Sequence, residues 1–195
     1  MKFVKFAGSC LYAIAMVANA QLSSIATAAE VDTINLADDR VEISIVGNIL
    51  PGDADSLSAR LKAAKDAGKV VTSVRLNSNG GNLLEGVRLA DVVRSANVST
   101  KVGENAICAS ACFLIFAAGA TKFAYVRARI GVHGASEMGA ESRKGTLEMA
   151  RIAEELDVPE SIVRRMKNTP PTDMTWLSLN DLRLMGADIN HYKSQ

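Results

Sequence analysis

Residues 107–119 read Ile-Cys-Ala-Ser-Ala-Cys-Phe-Leu-Ile-Phe-Ala-Ala-Gly, without one charged side chain. An apolar run of this kind belongs in a core, so the rest of the chain must be arranged around it. Its first half is unusual for a core helix. Ala, Ser and Cys are small enough for backbones to pack very close, as a site needs when a ligand must reach the main chain. Ser110 therefore reads in two ways. It is a nucleophile at a helix start, or it is an incidental hydroxyl in a core helix, bonded to a backbone carbonyl.

The two halves of the chain's charge nearly cancel, with 22 Lys+Arg against 21 Asp+Glu over 195 residues. This excludes the basic stripe of a nucleic-acid binder. A hydrophobic fraction of 48% supports one globular domain with a sizeable core. The amino-terminal stretch differs from the rest. Lys2 and Lys5 precede an apolar run from Phe6 to Val17, followed by small residues. That layout predicts a signal peptide over residues 1–29 and a single mature domain over residues 30–195. Cleavage after Ala20 and cleavage after Ala28 or Ala29 both fit. The apolar run is shorter than the about 20 residues a spanning helix needs, so no stable membrane span is expected after cleavage. The mature protein is expected to be exported, to the periplasm or beyond.

Export removes Cys10 and leaves Cys108 and Cys112. An even pair of thiols in an exported chain is a disulfide candidate. A separation of four residues is wide for a disulfide inside a helix, and easier if Cys108 lies in the turn before it. Two small buried hydrophobes are the other reading. No metal site is expected, because neither cysteines nor histidines show ligand spacing.

The rest of the chain alternates strands and helices, an α/β pattern. Val31–Leu36 and Val41–Gly47 read as a hairpin around Asp38-Asp39, with Asp53 or Asp55 capping the next helix. Val70–Leu76 is a strand that runs into the polar turn Asn77-Ser78-Asn79-Gly80-Gly81-Asn82 and then into a helix over 83–95. Such a turn exposes backbone N–H groups that suit a negatively charged oxygen, or it is a plain left-handed turn. Val98–Val102, Asn105–Cys108, Phe123–Val126 and Ala128–His133 read as strands. Residues 137–145 read as a mobile polar loop. Helices follow over 146–156 and from Pro159, and a last short helix begins near Leu177 and stops at Gly186. His191 lies near the end of the chain and reads as a solvated residue. His133 ends a strand before Gly134, where chemistry concentrates, and a serine nucleophile needs such a base. Acyl transfer also needs two N–H donors for the oxyanion. The Gly80–Gly81 turn offers one, and the amide of Ala111 offers the other.

The order Asn77-Ser78-Asn79-Gly80-Gly81, Cys108-Ala109-Ser110-Ala111-Cys112 and Ile130-Gly131-Val132-His133 resembles the Clp protease proteolytic subunit family. Trp176-Leu177-Ser178 and Gly186 resemble its closing pattern. The likeness spans about residues 40–190 and looks closest to small exported Clp-like proteins with the same Cys-x-Ser-Ala-Cys arrangement. It implies a Clp/crotonase-like fold of ββα units. It implies an ATP-independent serine hydrolase, a peptidase acting on peptides or unfolded protein without a cofactor. Ser110 would be the nucleophile, His133 the general base, and Gly80 (with Gly81) and Ala111 the oxyanion amides. Asp173, after Pro170-Pro171, is the leading candidate for the acid, ahead of Asp157 and Asn168. A Ser–His dyad and a catalytically silent binding module are the alternatives. Asn79 stands where the family has proline. The helical segment after His133 is shorter than the family's handle, so a small homo-oligomer or a monomer is expected in place of a tetradecamer.

Overall fold

The computed structural model describes residues 28–190, so His191 and most of the expected signal peptide lie outside the described residues. A six-stranded sheet runs in the order β1-β2-β3-β4-β6-β11. Its strands are β1 (Glu30–Asn35), β2 (Arg40–Val46), β3 (Val70–Asn77), β4 (Ser99–Val102), β6 (Lys122–Tyr125) and β11 (Ala187–Asn190). β1 is antiparallel to β2 and all other neighbours are parallel. Alternation explains the faces. Val41, Ile43 and Ile45 of β2 and Val74 and Leu76 of β3 are fully buried on one side, under the helices. The β1–β2 hairpin turns at Asp38 and Asp39, both with left-handed φ (59° and 52°), which Asp tolerates.

A second sheet, β10-β7-β5, stands on the end of the first. It comprises β5 (Ile107–Ala109), β7 (Arg129–Val132) and β10 (Thr175–Trp176). β5 is parallel to β7, and β10 is antiparallel to it. Ser78, just past β3, joins the sheets. Its amide donates to Ile107 O at 2.7 Å, and its carbonyl accepts from Ala109 N at 3.1 Å. One continuous chain thus leaves the large sheet and immediately borders the small one.

Among the described residues six helices accompany these sheets: α1 (Asp53–Asp66), α2 (Leu83–Ala96), α3 (Ala111–Ala117), α4 (Arg143–Glu155), α5 (Glu160–Asn168) and α6 (Leu179–Leu184). Every residue of α3 is buried, and Phe113, Leu114, Ile115 and Phe116 have no exposed area. Burying each large side chain stabilises the fold by about 1.5–3 kcal/mol, so this helix anchors the core. α2 packs on it closely. A Cβ at Gly86 would lie 2.8 Å from the Ala111 Cβ.

Three local expectations are corrected. The N-cap of α1 is Gly52, not Asp53 or Asp55. The Asp53 carboxylate instead accepts from Leu50 N, and the buried Glu85 carboxylate reaches across from α2 to accept from Gly52 and Ala54 amides. A long side chain on a neighbouring helix outcompetes the local one because it satisfies two otherwise orphaned donors. Residues 137–145 are not a bare loop. β8 (Ser136–Glu137) and β9 (Ala140–Glu141) form a small hairpin turning at Met138-Gly139, and α4 starts at Arg143 behind a Ser142 N-cap. Pro159 is the N-cap of α5 rather than its first residue.

Candidate active site

The turn from β5 into α3 is sharp. Ser110 stands in it with φ 57° and ψ −125°, a conformation that side chains rarely adopt. Ser110 is the N-cap position of α3, yet its side chain makes no cap hydrogen bond. Among the described residues its hydroxyl has no hydrogen-bond partner, so it is not an incidental core hydroxyl bonded to a backbone carbonyl. Its backbone is held from several sides. Ser110 N donates to Gly131 O at 3.1 Å, and Ser110 O accepts from Phe113 N at 2.9 Å.

Parallel pairing of β5 with β7 places Ala109 opposite Gly131. Ser110 and His133 therefore leave the same ends of adjacent strands. His133 is half-buried, and its Nδ1 lies 2.7 Å from Gly134 O. A carbonyl can only accept, so the proton sits on Nδ1 and Nε2 keeps its lone pair in the neutral ring. That is the tautomer a general base requires.

The Gly134 peptide is itself pinned. Gly134 N donates to Thr169 O, and Ala135 N donates to Thr146 Oγ1, both at 2.8 Å. Thr146 is buried, and the Thr169 hydroxyl pairs with that of Thr175 on β10 at 2.7 Å. These threonines act on the histidine through the turn. No sequence signal marks them, because threonine carries no pattern until the amides it caps are placed.

Asp173 is brought to this end of the small sheet but not onto the histidine. Antiparallel pairing of Thr175 with Val132 sets Asp173 near the level of Gly134. The side chain is exposed, and Oδ1 accepts from the Met174 amide at 2.7 Å. A carboxylate one residue from a free amide takes that amide first, and none of its hydrogen bonds reaches His133. Asp157 lies just past α4, and Asn168 ends α5 with an exposed side chain. Neither hydrogen-bonds to His133 among the described residues.

The glycine turn lies against Ser110. A Cβ at Gly80 would come 2.7 Å from both Ala109 O and Ser110 Cβ, and 3.0 Å from Ala111 N. Only glycine permits this approach, and its φ of +98° adds a second reason. The Gly80 amide donates to the buried Ser78 Oγ at 3.0 Å. The amides of Gly81 and Ala111 have no acceptor among the described residues. Gly80 and the Ala111 amide thus lie against Ser110, with the Gly80 N–H already engaged by Ser78, while Gly81 packs on Ile49.

Cys108 ends up in β5 and Cys112 in the first turn of α3, on either side of Ser110. Their sulfurs are 2.06 Å apart and their Cα atoms 5.2 Å apart, a disulfide. Both residues are fully buried. No group of three or more His, Cys, Asp or Glu able to hold a metal occurs among the described residues, and no described helix is long and apolar enough to cross a membrane.

Residues 26–169 match the family model for Clp protease. Direct comparison with curated proteins finds no match. Among solved structures, ClpP1 from Listeria monocytogenes superposes with a TM-score of 0.61 at 19% identity, covering 78% of this chain and 92% of that one. A point mutant of ClpP1 from the same organism gives 0.58 at 21% identity with the same coverage. At such identities the structural likeness concerns the fold, a Clp/crotonase-like α/β architecture.

Proposed function

The chain belongs to the Clp protease family, a family of serine-peptidase type, and on that premise we propose that it is an exported, ATP-independent serine hydrolase cleaving peptides or unfolded segments in the periplasm. In this reading Ser110 Oγ attacks the acyl carbonyl while His133 Nε2 takes its proton. The developing oxyanion is held by the Ala111 N–H and by a donor from the glycine turn, either Gly81 or Gly80 once Ser78 releases it. His133 then returns the proton to the departing amine. Water, deprotonated by the same nitrogen, hydrolyses the acyl-enzyme. The Nδ1–H remains on the Gly134 carbonyl throughout, so the orienting role falls to a backbone oxygen held by Thr146 and Thr169. No cofactor enters. The exported location leaves no ATP pool to drive an unfoldase, which restricts substrates to segments already accessible.

One observation carries this reading. A serine with no side-chain hydrogen bond among the described residues occupies a positive-φ strand-to-helix elbow, and the strand paired with its own ends at a histidine whose Nδ1 is held by a carbonyl. A fluorophosphonate probe is expected to label the folded, oxidised protein at one site. Labelling should vanish in Ser110→Ala and fall by about 10²-fold or more in His133→Ala. Absence of labelling across several probes would sink the hydrolase reading. The second reading, a silent binding module, is favoured because no carboxylate among the described residues hydrogen-bonds to His133. It predicts that both variants bind peptide as the parent does.

A further inference from the structure

We infer that the Cys108–Cys112 disulfide is a positioning device for Ser110, so that the nucleophile is presented only in the oxidised chain. The inference rests on the reading of Ser110 as nucleophile and adds a condition on it.

The bond spans a sequence separation of four, with Ser110 at its centre. A loop that short restricts the unfolded chain far less than a long one, so its effect is concentrated on the native geometry of the residues inside it. Those residues include one in a rare backbone conformation, at φ 57° and ψ −125°. Glycine would adopt this turn freely, but glycine has no hydroxyl. A side chain kept there must be over-determined by its surroundings.

Gly80 packs against both sides of the elbow, but each hydrogen bond holds one side or the other. Ala109 N bonds to Ser78 O, and Ser110 N bonds to Gly131 O, which fixes the strand side. The bond from Phe113 N to Ser110 O and the contact of Gly86 with Ala111 fix the helix side. Among the described residues the disulfide is the one bond that ties the strand to the first turn of the helix across Ser110. With both cysteines at 0% exposure, solvent thiols reach the sulfurs only if the elbow opens. The bond is therefore a constitutive clamp set when the chain oxidises, not a rapidly exchanging switch.

The test compares the oxidised protein with the Cys108→Ala/Cys112→Ala variant. It also uses wild-type chain refolded in dithiothreitol, which gives two electrons and two protons to the disulfide and leaves as its cyclic disulfide. Two readouts are taken: the Ser110 Cα and Cβ chemical shifts, and the second-order rate constant of fluorophosphonate labelling. Leu57→Ala, a buried residue of α1 away from the elbow, serves as a control for lost stability alone. The expected result is a Ser110 shift change toward ordinary negative φ and labelling at least tenfold slower in both reduced forms, while Leu57→Ala labels at the parental rate. Reoxidation of the reduced chain should restore both readouts. Unchanged Ser110 shifts in the folded variant, or labelling within twofold of the parent, would overturn the clamp. If the oxidised parent itself does not label, the hydrolase reading fails, and the Ser110 shifts still decide the clamp. Should the alanine pair not fold, the reduced wild-type chain supplies both readouts.

Discussion

Gly80 and Gly52 share a left-handed backbone, with φ of +98° and +105°, and differ in what surrounds them. Nothing lies within 4 Å of a Cβ at Gly52, whereas at Gly80 it meets backbone and Ser110 Cβ at 2.7 Å. Gly52→Ala should therefore cost only the conformational strain, about 1 kcal/mol. Gly80→Ala should cost about 2 kcal/mol more and slow probe labelling, because backbone at that distance cannot step aside. Urea unfolding of the two variants measures the difference, and equal costs would refute the close-approach account. Thr146→Val asks a related question of the histidine side. It keeps the shape but removes the acceptor for Ala135 N, leaving a half-buried N–H without a partner at a cost of about 1 kcal/mol. Labelling should slow with it if the turn orients His133, while a fall in stability at an unchanged labelling rate would confine Thr146 to structure. The places of Ser110 at a helix start and His133 at a strand end were legible in the sequence, from the apolar runs and the glycine beside them. Thr146 and Thr169 were not, since their roles exist only through a folded turn. Asp173, the expected acid, reaches the level of Gly134, and its carboxylate accepts locally from Met174 N, a short-range bond that the sequence pattern does not show.

At the scale of elements, the joint between α5 and α6 carries the clearest electrostatic signature. The Arg165 guanidinium forks onto both Asp181 oxygens, at 3.0 and 2.6 Å. Asp181 also closes the capping box of α6 with Ser178. Chiefly through Arg165, and against the opposing effect of burial, the Asp181 carboxyl is lowered to about 2 from an ordinary 3.8. A folded value below the unfolded one means stabilisation that is complete above about pH 4 and lost as the pH falls through about 2. Partial solvent screening limits it to about 1–2 kcal/mol. Asp181→Asn should lower stability by that amount at neutral pH, and the gap to wild type should shrink toward pH 2. A gap that stays constant with pH would exclude the ionic contribution. The β1–β2 hairpin was readable as a local pattern, as were β3 and α2 with their alternating and helical periods, whereas the Ser178–Asp181 capping box is a finding of the structure. The β8–β9 hairpin and β10 were hidden because strands of two residues have no period. The division into two sheets was hidden as well. It depends on Ser78 pairing with β5, a long-range contact that no local pattern encodes.

The helix that follows the β8–β9 hairpin turns inward on the molecule. Between His133 and α5 the chain makes that hairpin and α4, and α4 buries Thr146, Met149, Ala150, Ile152 and Ala153 against the rest of its own subunit. The outer face of that helix is already satisfied. Arg151 pairs with Glu148 and with Glu155 along the same helix. That leaves Leu147, 53% exposed, as the one large apolar side chain of α4 facing outward. A lone exposed leucine is ordinary surface, and a stable interface needs about 800 Å² from each partner with an apolar centre. We therefore propose that this chain does not stack into a two-ring barrel and works as a monomer or a small oligomer. Sedimentation equilibrium of the oxidised protein should report such a species across micromolar concentrations. Leu147→Glu and Arg151→Ala should leave its mass unchanged, since neither residue is asked to meet a partner. A tetradecamer, or a mass that falls in either variant, would show that the α4 surface carries an interface. The paired charges and the isolated leucine would then have to be reread as its rim and its centre.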